Sequence, residues 1–398
     1  MASGEELADS ERAIELQALS GIEQIDAAEW DPCAGAAEPF TNHAFLAALE
    51  RSGSATAATG WQPSHLIARD QLSRTVVGVV PAYIKDHSFG EFVFDWGWAE
   101  AFERAGGTYY PKLQVGIPFT PVTGPRLAVH PGAADPAGVR RALLRELEGL
   151  CSRSGLSSVH VTFPPETEWQ ELGARGWLQR TAHQYHWHND GYRDFDGFLA
   201  GLSHARRKEI RRERRAVAGS GVEIHALHGS ELRSEHLDAF HAIYQATCRS
   251  KLGPGYLSRA FFDEASARLG DRMLLLMARH EGRWLAGALH FYGADALYGR
   301  HWGCLPGTRE RVPFLHFELC YYRALERAID AGLGRVEAGV QGEHKLQRGY
   351  LPQWTYSAHW IAHPGLRAAV ADYLERERAV VAEAVEALGA SAPYRAAE

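Results

Sequence analysis

The chain has 398 residues, too many for one ordinary domain and enough for two or three. Hydrophobic residues make up 45% and charged residues 23%, a globular balance that excludes a disordered or fibrous chain. A net charge of −7, from 42 basic and 49 acidic side chains, excludes a surface given over wholly to nucleic acid but leaves room for one basic patch.

The five cysteines (Cys33, Cys151, Cys248, Cys304, Cys320) are odd in number and far apart, with no C-x-x-C pair. That pattern argues against a disulfide framework and a cysteine zinc site, and for a reducing compartment. Eleven tryptophans, fifteen tyrosines and sixteen phenylalanines exceed what packing two small domains requires, so some are expected to line a pocket.

At the N-terminus, MASGEELADSERAIEL is acidic and lacks the apolar core of a secretory signal. No run of 18 apolar residues follows anywhere. The expectation is a cytoplasmic protein, with peripheral contact on the inner membrane left open. A helix is predicted near 42–51. Residues 65–97 then read as three strands: an apolar run ending in Ala-Arg, a second containing Gly78, and a third closing on Trp96-Gly97. The proline-rich stretch YYPKLQVGIPFTPVTGPRL suggests a structured loop or the wall of a cleft. A helix at about 136–153 and a strand over 157–163 complete this half.

His183, His186 and His188 follow in HQYHWHND. On a strand His186 and His188 share a face, but further ligands at suitable spacing are missing, so no metal site is expected. SHARRKEIRRERR comes next, with seven basic and two acidic residues between Arg206 and Arg215. Phe198, Leu202, Ile210 and Val217 permit an apolar stripe, so the run reads either as a solvated helix or as an anion site. No Walker A and no G-x-G-x-x-G motif is present.

Residues 274–303 echo 65–97, with Ala278 matching Ala68, Gly287 matching Gly78 and Trp302 matching Trp96. Three matches in order favour a duplicated unit. Around the echo the second half predicts a strand over 222–227 and a helix from Leu237. A further helix opens on the N-cap Ser258. Three strands at about 272–279, 284–292 and 296–303 follow, then a helix over 312–331 and a strand over 335–340. Strand, two helices, three-stranded meander, helix, strand is the element order of the GNAT acyltransferases.

VEAGVQGEHKLQRGYLP, from Val336, concentrates possible chemistry. Glu337 sits mid-strand among apolar residues, a costly place for a carboxylate that is neither paired nor functional. Glu343, His344, Lys345 and Arg348 then arrive within six residues. A functional rim explains this better than a solvated loop. Arg300, His301 and Trp302 end the meander, and Glu318 lies on the helix beyond, either lining the same cleft or pairing with Arg300. The segment from Leu366 to Leu388 reads as one helical stripe.

The pieces SHARRKEIRRERR, LYGRHWG, HFELCYYRALERAIDAGLGRVEAGVQGEHKLQRGYLP and SAHW resemble the Fem-like branch of predicted N-acyltransferases, and the similarity runs from about Thr41 to Glu377. The resemblance implies an α/β (α+β) fold of tandem duplicated GNAT domains. It implies acyl transfer to an amine, with acyl-CoA as co-substrate and no permanently bound cofactor. Relatives in this branch include bacterial-type ceramide synthases, which implies a fatty acyl chain placed on a sphingoid-base amine. Other Fem-type relatives use aminoacyl-tRNA, and a non-catalytic lipid- or amine-binding module is the third reading. The usual GNAT pyrophosphate loop is not found between Trp302 and Phe314, where GCLPGTRERVPF stands instead.

The resulting expectations are an N-terminal GNAT-like domain over 1–190, a catalytic one over 191–365, and a C-terminal helix and tail over 366–398. Glu337 or His344 is expected as base, Glu343 as orienter, and Lys345 and Arg348 as oxyanion or phosphate contacts. Arg348, Arg300, His301, Trp302, Glu318 and Tyr350 are expected at the substrate. Arg206, Arg207, Arg211, Arg212, Arg309 and Arg311 are expected near donor phosphate. The expected partners are acyl-CoA and an amine acceptor, with tRNA disfavoured because no inserted helical arm is apparent.

Overall fold

The computed structural model describes residues 14–250, 253, 255–340 and 342–395. Two compact units divide the chain, and they are not consecutive halves. The first takes the described residues of Met1–Ala36, Phe40–Ala182 and Trp354–Val381, and the second takes Ala37–Pro39, His183–Gln353 and Ala382–Glu398. This differs from breaks at 190 and 365, for a physical reason. Ser357–Ile361, late in the chain, pairs antiparallel with Ser158–Thr162 and so completes the first unit's sheet. The helix Pro364–Ala390 then buries Leu366, Val370 and Leu374 against Trp98, Tyr109 and Ile361 of that same unit.

In the first unit, Ile14–Leu19, His65–Asp70, Val76–Val80 and Ala128–Val129 form a four-stranded antiparallel sheet in that order. A second ladder joins Gln62–Pro63, Ala82–Lys85, Lys112–Val115 and Ser158–Thr162, the last two in parallel. The helix Pro136–Arg153 starts at Asp135, whose carboxylate accepts from the Gly138 amide. It packs Val139, Leu143, Leu144 and Leu147 on the sheets. Phe92–Asp95 is not a strand, and Trp96 opens the helix Trp96–Arg104, so the Trp96–Trp302 match of the echo does not hold in three dimensions.

In the second unit the strand order is Glu223–His228, Met273–His280, Arg283–Tyr292, Ala296–Cys304, Arg335–Glu337 and the 183–188 part of Leu178–His188. All neighbours are antiparallel except Ala296–Cys304 with Arg335–Glu337. The apolar run MLLLMA suits a strand buried on both faces. Leu274, Leu276 and Ala278 meet the core under the helices His204–Ala218 and Arg323–Asp330. On the other side, the helix Ser234–Arg249 lies so close that a Cβ on Gly287 would come within 2.7 Å of Phe240.

The two hairpins share a finer mark than their sequences reveal. The register slips at Ala68/Arg69 in one and at Ala278/Arg279 in the other, the same bulge at the same Ala-Arg step. In the first hairpin a Cβ on Gly78 would reach 2.6 Å from Val139, so glycine again admits a packed helix.

The predicted helix 312–331 is broken. Phe314 takes a left-handed φ of 70°, a single turn Leu315–Phe317 follows, and Glu318–Tyr322 is a π-turn before Arg323–Asp330. Such wide turns are uncommon and often sit at functional places. Among the described residues no helix is long and apolar enough to cross a membrane.

Candidate active site

Glu337 lies between two strands. It stands opposite Tyr298 in the parallel ladder and opposite His186 in the antiparallel one. Arg335 Nε donates to Glu337 Oε1 at 3.0 Å. Oε2 lies 3.7 Å from His186 Nε2, and neither of those two atoms has a hydrogen-bond partner. Burial raises the Glu337 pKa against the pull of Arg335. Burial, with Arg335 next, lowers His186 to about 3, so its ring is neutral at pH 7.

The parallel ladder then stops. It holds three pairs, Ala296 to Tyr298 against Arg335 to Glu337, while the strand runs on to Cys304. Gly339 turns the other chain away with φ 77°, which leaves the backbone edge after Tyr298 without a parallel neighbour among the described residues.

The chain folds back as the 3-10 helix Glu343–Arg348. Lys345, 1% exposed, donates from Nζ to Gly339 O at 2.5 Å. Burial brings its pKa down to about 7, with Cys320 opposing the fall and Arg300 adding to it. A lysine without a carboxylate partner in a dry site gives up its proton readily. Arg300 is lowered by burial to about 10 against the pull of Glu337. Glu337, Arg300, Lys345 and His344 thus form a chain of electrostatic neighbours.

His344 is half-buried, and its Nε2 lies 2.8 Å from Tyr321 Oη. Its ring stands 5.5 Å from Phe317 and 5.8 Å from His316. Burial, then Arg348 and Lys345, lowers its pKa, so it is a neutral imidazole near pH 7.

Other expected residues are placed differently. Arg348 is a strut: Nε donates to Tyr322 Oη at 3.0 Å, Nη1 to His344 O at 2.8 Å and Nη2 to Glu213 Oε1 at 2.7 Å. The Tyr322 hydroxyl donates to the other Glu213 oxygen, and the guanidinium stacks 3.5 Å over Phe317. All three of its nitrogens are committed, which leaves no free fork for an oxyanion or a phosphate. Glu343 is exposed and acts on His183 and Tyr185, and its charge is not among the causes that shift His344. Glu318 pairs with Arg214 and Arg323, at 3.1 and 3.0 Å, rather than with Arg300. Tyr350 is 0% exposed in the core, so it is no pocket wall.

His301 packs edge-on to Tyr244, and burial lowers its pKa to about 3. Trp302 stands on the adjacent strand position against His316, at 5.1 Å. Arg309 and Arg311 are exposed on the short helix Thr308–Arg311.

The basic helix sorts its charges by face. Ile210, Glu213 and Val217 are buried, and Glu213 grips Arg348. His204, Arg207, Lys208, Arg211 and Arg215 line a shallow concavity of about 200 Å3. At 100° per residue these five point almost directly away from Glu213. Arg206 pairs instead with Glu209 at 2.8 Å, and Arg211 also reaches Asp196 at 3.2 Å. Arg212 lies exposed at the border of the stripe.

Tyr321, Tyr322, Cys320, Glu213 and His186 were missed as parts of this site. One signal was available. Glu213 falls three and four residues from Ile210 and Val217 on the apolar stripe, where a carboxylate requires a buried cation.

The element order of the second unit, its parted parallel strands and the repeated bulge of the first define the tandem GNAT fold of acyltransferases. FemX, at 10% identity, matches over 90% of this chain and 100% of its own with a TM-score of 0.55. A conserved protein of unknown function from Bacteroides thetaiotaomicron matches at 12% identity over 87% of this chain and 99% of its own, TM-score 0.51. A tandem GNAT protein from the clavulanic acid biosynthesis pathway gives 13% identity, coverage of 88% and 99%, and TM-score 0.48. No curated protein matches the chain. The family model FemAB-like, described as peptidoglycan biosynthesis/recognition, matches residues 21–396. The chain belongs to the FemAB-like family, and family and fold together make it an acyltransferase.

Proposed function

We propose that the second unit transfers an acyl group to an amine, with His344 as general base. The observation that carries this reading is a neutral, half-buried imidazole held by Tyr321 beside a strand edge whose parallel ladder has ended. In this reading the donor carbonyl lies along the edge after Tyr298, and backbone N–H groups of that edge would meet the developing oxyanion. The acceptor ammonium gives its proton to His344, the amine nitrogen attacks the carbonyl carbon, and the bond from that carbon to the donor's leaving group breaks. Lys345 supports the turn at Gly339 and keeps a second, readily released proton near His344. The donor in this reading is an acyl-CoA, whose leaving group is a thiolate that takes up a proton. The acceptor is an amine carrying an apolar chain, of which a sphingoid base is one example.

A second donor reading has its own support. The five-residue basic stripe faces away from Glu213, so it suits a long polyanion better than the short phosphate group of one acyl-CoA. That favours an aminoacyl-tRNA donor, and transfer would then fall steeply with salt.

Thiol release from acyl-CoA with dodecylamine as acceptor tests the first reading. His344→Ala is expected to lower kcat about 10²- to 10⁴-fold, and Tyr321→Phe less, with a shifted acidic limb in the pH profile. Full turnover by folded His344→Ala overturns the assignment. No thiol release from any acyl-CoA, with transfer from aminoacyl-tRNA instead, replaces the donor.

A further inference from the structure

The acyl-CoA reading leaves the outer face of the basic helix His204–Ala218 without a partner, and its charges are not balanced within the protein. Of the basic side chains between Arg206 and Arg215, two are spent locally. Arg206 pairs with Glu209 at 2.8 Å, and Arg214 turns inward to Glu326 at 2.6 Å and Glu318 at 3.1 Å. The helix's other carboxylate, Glu213, is buried and held by Arg348. Arg207, Lys208 and Arg215 make no ion pair among the described residues, and Arg211 meets only the outlying Asp196 at 3.2 Å. Arg207, Arg211 and Arg215 follow one another at four-residue steps, where like charges repel, and the first turn has no acidic side chain to answer the helix N-terminus. Arg395, also exposed, is tied beside that terminus by the bond from its amide to Gly201 O at 3.1 Å. A row of uncompensated cations raises the local potential and draws anions to it.

The shape of the stripe narrows the kind of anion. His204, Lys208, Arg211 and Arg215 run along one helix face for about 16 Å. With Arg207 they line a concavity of only about 200 Å3, which contains no Phe, Tyr or Trp on which a nucleic-acid base could stack. Carboxylates stand on both flanks, Glu209 on one side and Asp196 on the other. A nucleic-acid duplex lying against the helix would bring phosphates onto those carboxylates. A plane of phosphates touches only the crest, where the cations are.

We propose that this stripe docks the protein on an anionic bilayer, its crest meeting the phosphate groups of acidic lipids. The guanidinium and ammonium groups make charge-assisted hydrogen bonds to headgroup oxygens, with no ring inserted and no lipid withdrawn. The second unit then works at a surface where amines with apolar chains collect, the acceptor class of the acyl-CoA reading. Docking itself needs neither donor nor acceptor, so it is measured apart from the transfer.

Co-sedimentation of the full chain with vesicles tests the inference. Vesicles of equal parts phosphatidylglycerol and phosphatidylcholine are expected to bind about tenfold or more tightly than phosphatidylcholine alone, and less tightly as salt rises. Neither lipid carries a primary amine, so occupancy of an acceptor site cannot produce the signal. The triple variant Arg207→Gln, Lys208→Gln, Arg215→Gln should lose affinity about a hundredfold, roughly fivefold for each charge. These side chains point away from the core, so the variant should fold, which an unchanged circular dichroism spectrum checks. Removing three exposed charges from the first unit, by Arg74→Gln, Arg104→Gln and Arg153→Gln, should leave binding within about twofold. Equal or absent binding to the two kinds of vesicle, equal loss in the two triple variants, or no loss in the first overturns the proposal. So does an RNA duplex that the parent binds through the same three residues more tightly than the vesicles, which assigns the stripe to RNA and supports the tRNA donor instead.

Discussion

Lys112 of the first unit and Lys345 of the second are both almost completely buried, and the two are driven in opposite directions. Burial opposes the charge on Lys112, but Glu91 and Asp95 outweigh it and the pKa rises. Burial acts equally on Lys345, no carboxylate answers it, and the pKa falls to about 7. Depth is the same, so the partners decide the charge. Lys112 is a permanent cation that clamps two acids. Lys345 stands at the balance point between ammonium and amine, where a proton can be exchanged at neutral pH.

The largest expected effect tests the clamp. Lys112→Met strands two buried carboxylates and should cost stability at the upper end of about 3–5 kcal/mol, read as a lower urea midpoint. Lys345→Met keeps the volume and loses one hydrogen bond, so it should cost less than about 1.5 kcal/mol. Equal costs would break the comparison. Glu213→Ala leaves Arg348 buried without its anion and should fall toward the lower part of the 3–5 kcal/mol range (about 3), because the Tyr322, His344 and Phe317 contacts remain.

A further test is in pH. The folded pKa of Lys345, about 7, lies below its ordinary value of 10.5. Between those values the unfolded chain holds a proton that the folded chain has released, so the contribution of Lys345 to stability rises with pH across that window. Parent protein should therefore gain on Lys345→Met between pH 7 and 10 in parallel thermal melts. A constant difference would mean that Lys345 keeps its ordinary pKa.

Much of the fold was legible because its signals are local. The N-cap at Ser258, the meander and the helix 136–153 stand within a residue or two of expectation. Long-range closure was not legible: nothing in Ser357–Ile361 announces a partner at Ser158–Thr162. The break at Phe314 was also hidden, because apolar periodicity continues through a left-handed residue. In the site, the cluster 337–348 was found from charge density, whereas the division of labour within it was not. Arg348 and Lys345 look alike in sequence, and only Glu213, 135 residues from Arg348, makes one a strut.

The late arrival of Ser357–Ile361 has a consequence during synthesis. Ser158–Thr162 must wait as an open edge while almost two hundred further residues are made, including nearly the whole second unit. The second unit is in effect an insertion that is nearly all made while its host is still missing a strand. A premature stop just after Gln353 would spare most of the residues proposed for acyl transfer and still leave the first unit unable to close.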